Sequence, residues 1–156
     1  MARLAAGDVA PGFTLPDQDG NECSLAELAG RRVVLYFYPK DDTPGCTKEA
    51  TQFDALEAAF READTVVVGV SPDGAESHRR FRDRYGLSIR LLCDPSHDTM
   101  AAYGAWGEKT LYGRTTVGVI RSTFLVGADG RVERAWYGVR ADGHAAKVLQ
   151  ALGAGD

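Results

Sequence analysis

Six consecutive residues, Val33-Val34-Leu35-Tyr36-Phe37-Tyr38, are apolar or aromatic with no charged or amide side chain among them. A strand with one face in water alternates apolar with polar, so a strand without alternation must be covered on both faces. Thr65-Val66-Val67-Val68-Gly69-Val70 and Ile89 to Cys93 read in the same way, with helical patterns between them. Ala50, Phe53, Leu56, Phe60 and Ala63 recur at steps of three and four, giving one apolar stripe on a helical stretch. Ala75 to Tyr85 predicts a charged helix with Phe81 and Tyr85 inward and Arg79, Arg80, Arg82 and Arg84 on a solvated face. Three β-α-β passages with short connections predict an α/β fold with a parallel core and helices on both faces. Arg121 opens a strand from Ser122 to Val126, and Asp129-Gly130 turns it into an antiparallel return over Arg131 to Tyr137 at the sheet edge.

Near the start, Phe13-Thr14-Leu15 and the residues around Cys23 flank the turn Asp17 to Gly20, predicting a small hairpin. Ser24-Leu25-Ala26-Glu27 has capping-box spacing and opens a short helix to about Leu28. Met100 to Tyr103 reads as a short helix, and Ala145, Val148, Leu149 and Leu152 line a closing one. The 156 residues, 44% hydrophobic and 26% charged, are expected to form one domain over 1–156 with a buried core. Asp8, Pro11 and Gly12 interrupt the N-terminal Ala/Leu stretch too early for a signal-peptide core, and no apolar run approaches a membrane span, so a reducing cytoplasm is expected. A net charge of −4 without a basic run argues against nucleic acid or anionic lipid as partner and for a small molecule or another protein.

Cys23, Cys46 and Cys93 include no C-x-x-C pair, which excludes a disulfide scaffold and a four-cysteine zinc site. Cys46 follows Pro44-Gly45 and precedes the amphipathic run, which places it in the first turn of a helix at the carboxyl end of the first buried strand. There the helix dipole favours a thiolate, the nucleophilic form; the alternative is a small buried hydrophobe. Thr43 can place a hydroxyl on the same concave face and Pro39 stiffens the loop, although both residue types belong in turns anyway. Glu49, one turn beyond Cys46, can hold an arginine or simply complement the dipole. Arg121 is the candidate cation for a thiolate. His78, His97 and His144 stand at spacings unlike those of metal ligands and read as surface or capping residues. No Gly-rich phosphate loop is visible, so no cofactor is expected. Trp106 and Tyr112, in a loop from Tyr103 to Gly113, either line a reductant or substrate pocket or pack locally.

The string from Tyr36 to Ala50, YFYPKDDTPGCTKEA, resembles the active-site segment of the peroxiredoxins, in the bacterioferritin comigratory protein or peroxiredoxin Q branch. Its P-x-x-x-T-x-x-C core, Pro39 to Cys46, is specific to peroxiredoxins, and the longer string to this branch. The likeness continues at Ser71-Pro72-Asp73, Ser77-His78, Tyr103 to Gly113 and Ile120 to Leu125. It implies a thioredoxin-like fold with a central mixed sheet and helices on both faces, and a thiol-dependent peroxidase acting on hydrogen peroxide or alkyl hydroperoxides. On that likeness Cys46 is the peroxidatic cysteine and passes through a sulfenic acid, Thr43 and Arg121 hold it and the peroxide, Pro39 shields the pocket and Glu49 orients Arg121. A monomer is implied, with a dimer as the alternative.

Many members of this branch carry a second cysteine five residues after the first, and others carry it on the next helix. Here position 51 is Thr51, and Ala75 to Tyr85 holds no cysteine. The expected cycle therefore uses one cysteine, with thioredoxin, glutaredoxin or glutathione reducing the sulfenic acid. Cys93 as the resolving cysteine is the minority mechanism, and Cys23 is read as packing in the N-terminal strand. A peroxide sensor or redox-regulated interaction protein with little turnover is the alternative function. A thioredoxin-type reductase would need C-x-x-C where Glu49 stands, and a cysteine phosphatase an arginine where Gln52 stands.

Overall fold

The computed structural model describes residues 3–154. The chain runs through β1 (Thr14–Pro16), β2 (Glu22–Ser24), a 3-10 turn (Ala26–Leu28), β3 (Arg32–Phe37), α1 (Pro44–Ala55), α2 (Glu57–Glu62), β4 (Thr65–Ser71), α3 (Ala75–Tyr85) and β5 (Arg90–Cys93). It continues through α4 (Asp98–Ala102), β6 (Trp106–Leu111), β7 (Arg114–Val119), β8 (Ser122–Val126), β9 (Val132–Tyr137) and α5 (His144–Ala154). Both halves of the capping box form: Ser24 Oγ accepts the Glu27 N–H at 3.1 Å and Glu27 Oε2 accepts the Ser24 N–H at 3.5 Å.

Five strands make the central sheet in the order β5-β4-β3-β8-β9. β3, β4 and β5 are parallel, β8 runs antiparallel to β3, and β9 antiparallel to β8. β3 lies in the middle, which is why its residues do not alternate. Val33, Leu35 and Phe37 enter one core, and Val34, Tyr36 and Tyr38 the other. The second core is roofed by α1, α2, α3 and α5 through Ala50, Phe53, Phe60, Phe81 and Val148. On the opposite face, α4 contributes Met100 beside Phe13, Cys23 and Tyr103, so helices cover both faces unequally. No described helix is long and apolar enough to cross a membrane.

Several expectations are corrected. Among the described residues two β-α-β passages, not three, join parallel strands, because β8 enters the sheet interior in reverse and leaves β9 at the edge. The apolar stripe spans two helices: the chain breaks at Leu56 (φ −100°, ψ 4°), and Ala63, beyond α2, is exposed. The stretch from Tyr103 to Gly113 is largely strand, since β6 and β7 pair across a two-residue turn at Tyr112 (φ 53°) and Gly113 (φ 76°), the left-handed geometry of a tight hairpin. Tyr112 is 96% exposed at that tip, and Trp106 stacks on His97 at 3.8 Å, so the two aromatics do not share a pocket. His78 and His144 are buried rather than at the surface. Arg79 is exposed as expected, and it and half-buried Arg82 also bind the β1–β2 turn, at Gln18 O and Asp19 Oδ1.

Tyr36 is sealed between Tyr38 and Phe53, at ring separations of 5.5 Å and 4.6 Å. It fits because its β4 neighbour is Gly69, where a Cβ would lie 2.8 Å from Tyr36 Cζ. Gly69→Ala should therefore destabilise the protein by about 1–3 kcal/mol, the usual cost of overpacking; an unchanged urea midpoint would refute this packing account. A second prediction concerns His144, whose Nε2 meets Thr123 Oγ1 at 2.8 Å. Burial, with Lys147 and Arg121 nearby, lowers its pKa to about 4 from the usual 6.5. The unfolded chain therefore takes up a proton first, so this stability is complete above pH 6.5 and is lost as pH falls towards 4. Between those values the wild type should lose more stability than His144→Gln; equal losses would contradict a neutral buried imidazole.

Candidate active site

Cys46 is the third residue of α1. Pro44 starts the helix where a missing N–H is harmless, and Thr43 precedes it in extended conformation (φ −93°, ψ 157°) without a side-chain cap. The thiol is 1% exposed. Arg121 Nη2 donates to Cys46 Sγ at 3.3 Å, and Nη1 donates to Glu49 Oε1 at 2.5 Å. These groups meet because Ser122 pairs with Phe37, which sets Arg121, just before β8, against the carboxyl end of β3 from which the chain leads into α1. Gly45 completes the arrangement: a Cβ there would lie 3.2 Å from Arg121 Nη2.

Glu49 is fully buried, and burial raises its carboxyl to about 7 against the opposing pull of Arg121. Its Oε2 has no hydrogen-bond partner among the described residues. A planar cation shared between a carboxylate and a sulfur, at a helix N-terminus, can stabilise both a thiolate and charge developing on an oxygen beside it. Thr43 and Pro39 are half-buried and frame the loop leading into α1; the Thr43 hydroxyl donates to Lys40 O at 3.0 Å. Cys46, Glu49 and Arg121 are thus in direct contact, whereas Thr43 and Pro39 border them without a hydrogen bond to the sulfur.

The other two thiols are free, buried and placed elsewhere. Cys93 ends β5, with β4 between it and β3, and burial together with Asp41, Asp17 and Asp73 pushes its thiol up to about 11. Cys23 belongs to the core on the opposite face of the sheet from Cys46, and burial pushes its thiol up as well.

Two features were not picked out by sequence reasoning. One is Gly45. The other is a buried polar cluster behind the loop, in which Asp41, Asp73 and His78 each bring a potential metal-ligand atom within 4.8 Å of the others. Those atoms already meet protein partners: Asp73 Oδ2 accepts from Asp41 N–H and Ser71 Oγ, and Asp41 Oδ2 meets Ser77 Oγ and His78 Nδ1. Asp41 Oδ2, Asp73 Oδ2 and His78 Nδ1 are thus engaged in hydrogen bonds within the protein. The strings Ser71-Pro72-Asp73 and Ser77-His78 were the visible signal of this cluster.

Comparison with known proteins agrees with the geometry. Residues 6–135 match the model of the AhpC/TSA family. A putative peroxiredoxin of Mycobacterium tuberculosis is 53% identical over 150 residues, covering 96% of each chain. A putative bcp peroxiredoxin of Helicobacter pylori is 48% identical over 152 residues, covering 97% of this chain and all of the relative. Among solved structures, the bacterioferritin comigratory protein of Xanthomonas campestris, described for its alkyl peroxide reduction activity, superposes with a TM-score of 0.87 at 39% identity, covering 92% of this chain and 91% of its own. Sequence, sheet order and site geometry converge: the chain belongs to the AhpC/TSA family, as a peroxiredoxin of the bacterioferritin comigratory protein or peroxiredoxin Q branch.

Proposed function

We propose that Cys46 is the residue through which this peroxiredoxin reduces peroxides. Peroxiredoxins of this branch are thiol peroxidases, oxidoreductases acting on peroxide. The observation that favours Cys46 as the reacting thiol is the Arg121 guanidinium 3.3 Å from its sulfur, held from behind by Glu49. In this reading the thiolate attacks one peroxide oxygen and the O–O bond breaks. The leaving oxygen takes a proton and departs as water or an alcohol, and Cys46 becomes a sulfenic acid. Arg121 and the Cys46 N–H stabilise charge along the breaking bond, Thr43 positions the peroxide, Pro39 shields the pocket and Glu49 orients Arg121. Alkyl peroxide reduction by the Xanthomonas relative supports organic hydroperoxides as substrates beside hydrogen peroxide.

Regeneration falls to an external thiol of thioredoxin, glutaredoxin or glutathione type. The Cys93 thiol, raised to about 11, is a poor source of the attacking thiolate, and Cys23 faces the other core. Three free thiols fit a reducing compartment such as the cytoplasm.

Cys46→Ser should abolish steady-state peroxide consumption, and surviving activity would overturn the assignment. After one equivalent of peroxide, dimedone should label Cys46 while Cys23 and Cys93 remain free. A Cys46–Cys93 disulfide in a non-reducing peptide map would instead make Cys93 the resolving thiol. Gly45→Ala should shift the guanidinium by a few tenths of an ångström and slow Cys46 oxidation by about two- to fivefold, well short of the roughly hundredfold cost of losing a charge-stabilising donor outright; a wild-type rate would remove the 3.2 Å contact from the mechanism.

A further inference from the structure

The loop between β3 and α1, which carries Pro39 and Thr43, is held from outside by α3. Asp41 is its buried anchor, 7% exposed and bonded on every side. Its N–H donates to Asp73 Oδ2 at 2.8 Å, its Oδ1 accepts the Tyr38 hydroxyl at 2.5 Å, and its Oδ2 accepts Ser77 Oγ at 2.8 Å. The same Oδ2 meets His78 Nδ1 at 2.6 Å, and His78, with no exposed surface, meets Leu92 O through Nε2 at 2.9 Å. The next residue, Asp42, sits in the left-handed region (φ 60°) and accepts from Arg84 Nη1 and the Tyr85 hydroxyl, both at 2.7 Å. The first turn of α3 therefore grips Asp41, and its last residues grip Asp42.

Hydrogen counting gives this contact its character. Leu92 O can only accept, so His78 Nε2 carries a hydrogen. A bare Nδ1 would face a carboxylate oxygen lone pair to lone pair at 2.6 Å, so a second hydrogen lies between Nδ1 and Oδ2. His78 thus joins two fixed points, the end of β5 and the loop, through its two ring nitrogens. Its link to the loop is the one that bears on the site, because about 1 Å of displacement at a reacting centre can cost on the order of a hundredfold in rate.

We propose that His78 and Asp41 are positioning residues for peroxide reduction, locking the Pro39–Thr43 loop over Cys46 through the Nδ1–Oδ2 hydrogen bond. This rests on the assignment of Cys46 as the reacting thiol. Two substitutions separate the two hydrogen bonds of His78: the Asn amide can keep one near Nδ1, and the Gln amide can keep one near Nε2. The measurements are the second-order rate constant for Cys46 oxidation by hydrogen peroxide and, in parallel, that for Cys46 alkylation by iodoacetamide, which needs the thiolate and no peroxide pocket. His78→Asn should retain at least about a third of the wild-type oxidation rate, and His78→Gln should lose tenfold or more, both alkylating within twofold of wild type. If the two variants slow alike, or if oxidation and alkylation fall together, the role is structural and the proposal fails. Should His78→Gln not fold, Asp73→Ala at a half-buried position removes the acceptor of the Asp41 N–H and should slow oxidation about fivefold with alkylation unchanged; no selective loss there also refutes it. A wild-type Cys46 that peroxide does not oxidise would overturn the function assignment itself, an outcome distinct from normal wild-type oxidation with unaffected variants.

Discussion

The ion pair between Glu49 and Arg121 is the tie on which the site depends. It joins the first turns of α1 to the residue before β8 and brings a permanent cation to the sulfur. Burying a carboxylate is costly unless a partner offsets the loss of hydration, and Glu49, raised to about 7 by burial, is a carboxyl for which that compensation is incomplete. Its second oxygen has no partner among the described residues, so the pair serves geometry more than stability. Replacing the pair with apolar residues would spare the cost of burying two charges, but it would also remove the guanidinium beside the thiol.

The position of Arg121 follows in turn from one topological choice. In an all-parallel sheet the strand beside β3 would begin at the far edge and deliver only its end to the carboxyl side. Because β8 runs in reverse, its beginning reaches that side, and the residue that opens it meets the loop leaving β3. Helix α3 adds a second set of ties through Asp41 and Asp42. The loop is thereby fixed by side chains from flanking elements, and the start of α1, the guanidinium and the Thr43 hydroxyl are held in fixed relation to one another.

Most of this architecture was legible from residue patterns. The unbroken apolar run of β3 specified a doubly covered strand, and Cys46 after Pro44-Gly45 specified a helix start, because both signals are local. The break at Leu56 was not legible: the stripe of Phe53, Leu56 and Phe60 satisfies helical spacing on either side of a one-residue change in backbone direction. The β6–β7 hairpin was missed because its exposed polar residues and its Tyr112-Gly113 turn do not display an apolar period. His78 looked like one of three scattered histidines, since its partners lie 37 and 14 residues away and only tertiary packing brings them to it. Gly45 is a similar case, because nothing local announces that the guanidinium of Arg121, 76 residues further along the chain, needs the space.

The reversed strand has a further consequence, for the order of events during synthesis. Everything from β3 to β5 can pair as a parallel unit using residues already made, and Cys46 is among the early ones. Its charged partner lies 75 residues further along the chain. A nascent polypeptide therefore carries this thiol for roughly half its length without the guanidinium, and the contact forms only when β8 closes against β3. The chemistry is timed by the topology: the sulfur waits for the fold to be finished.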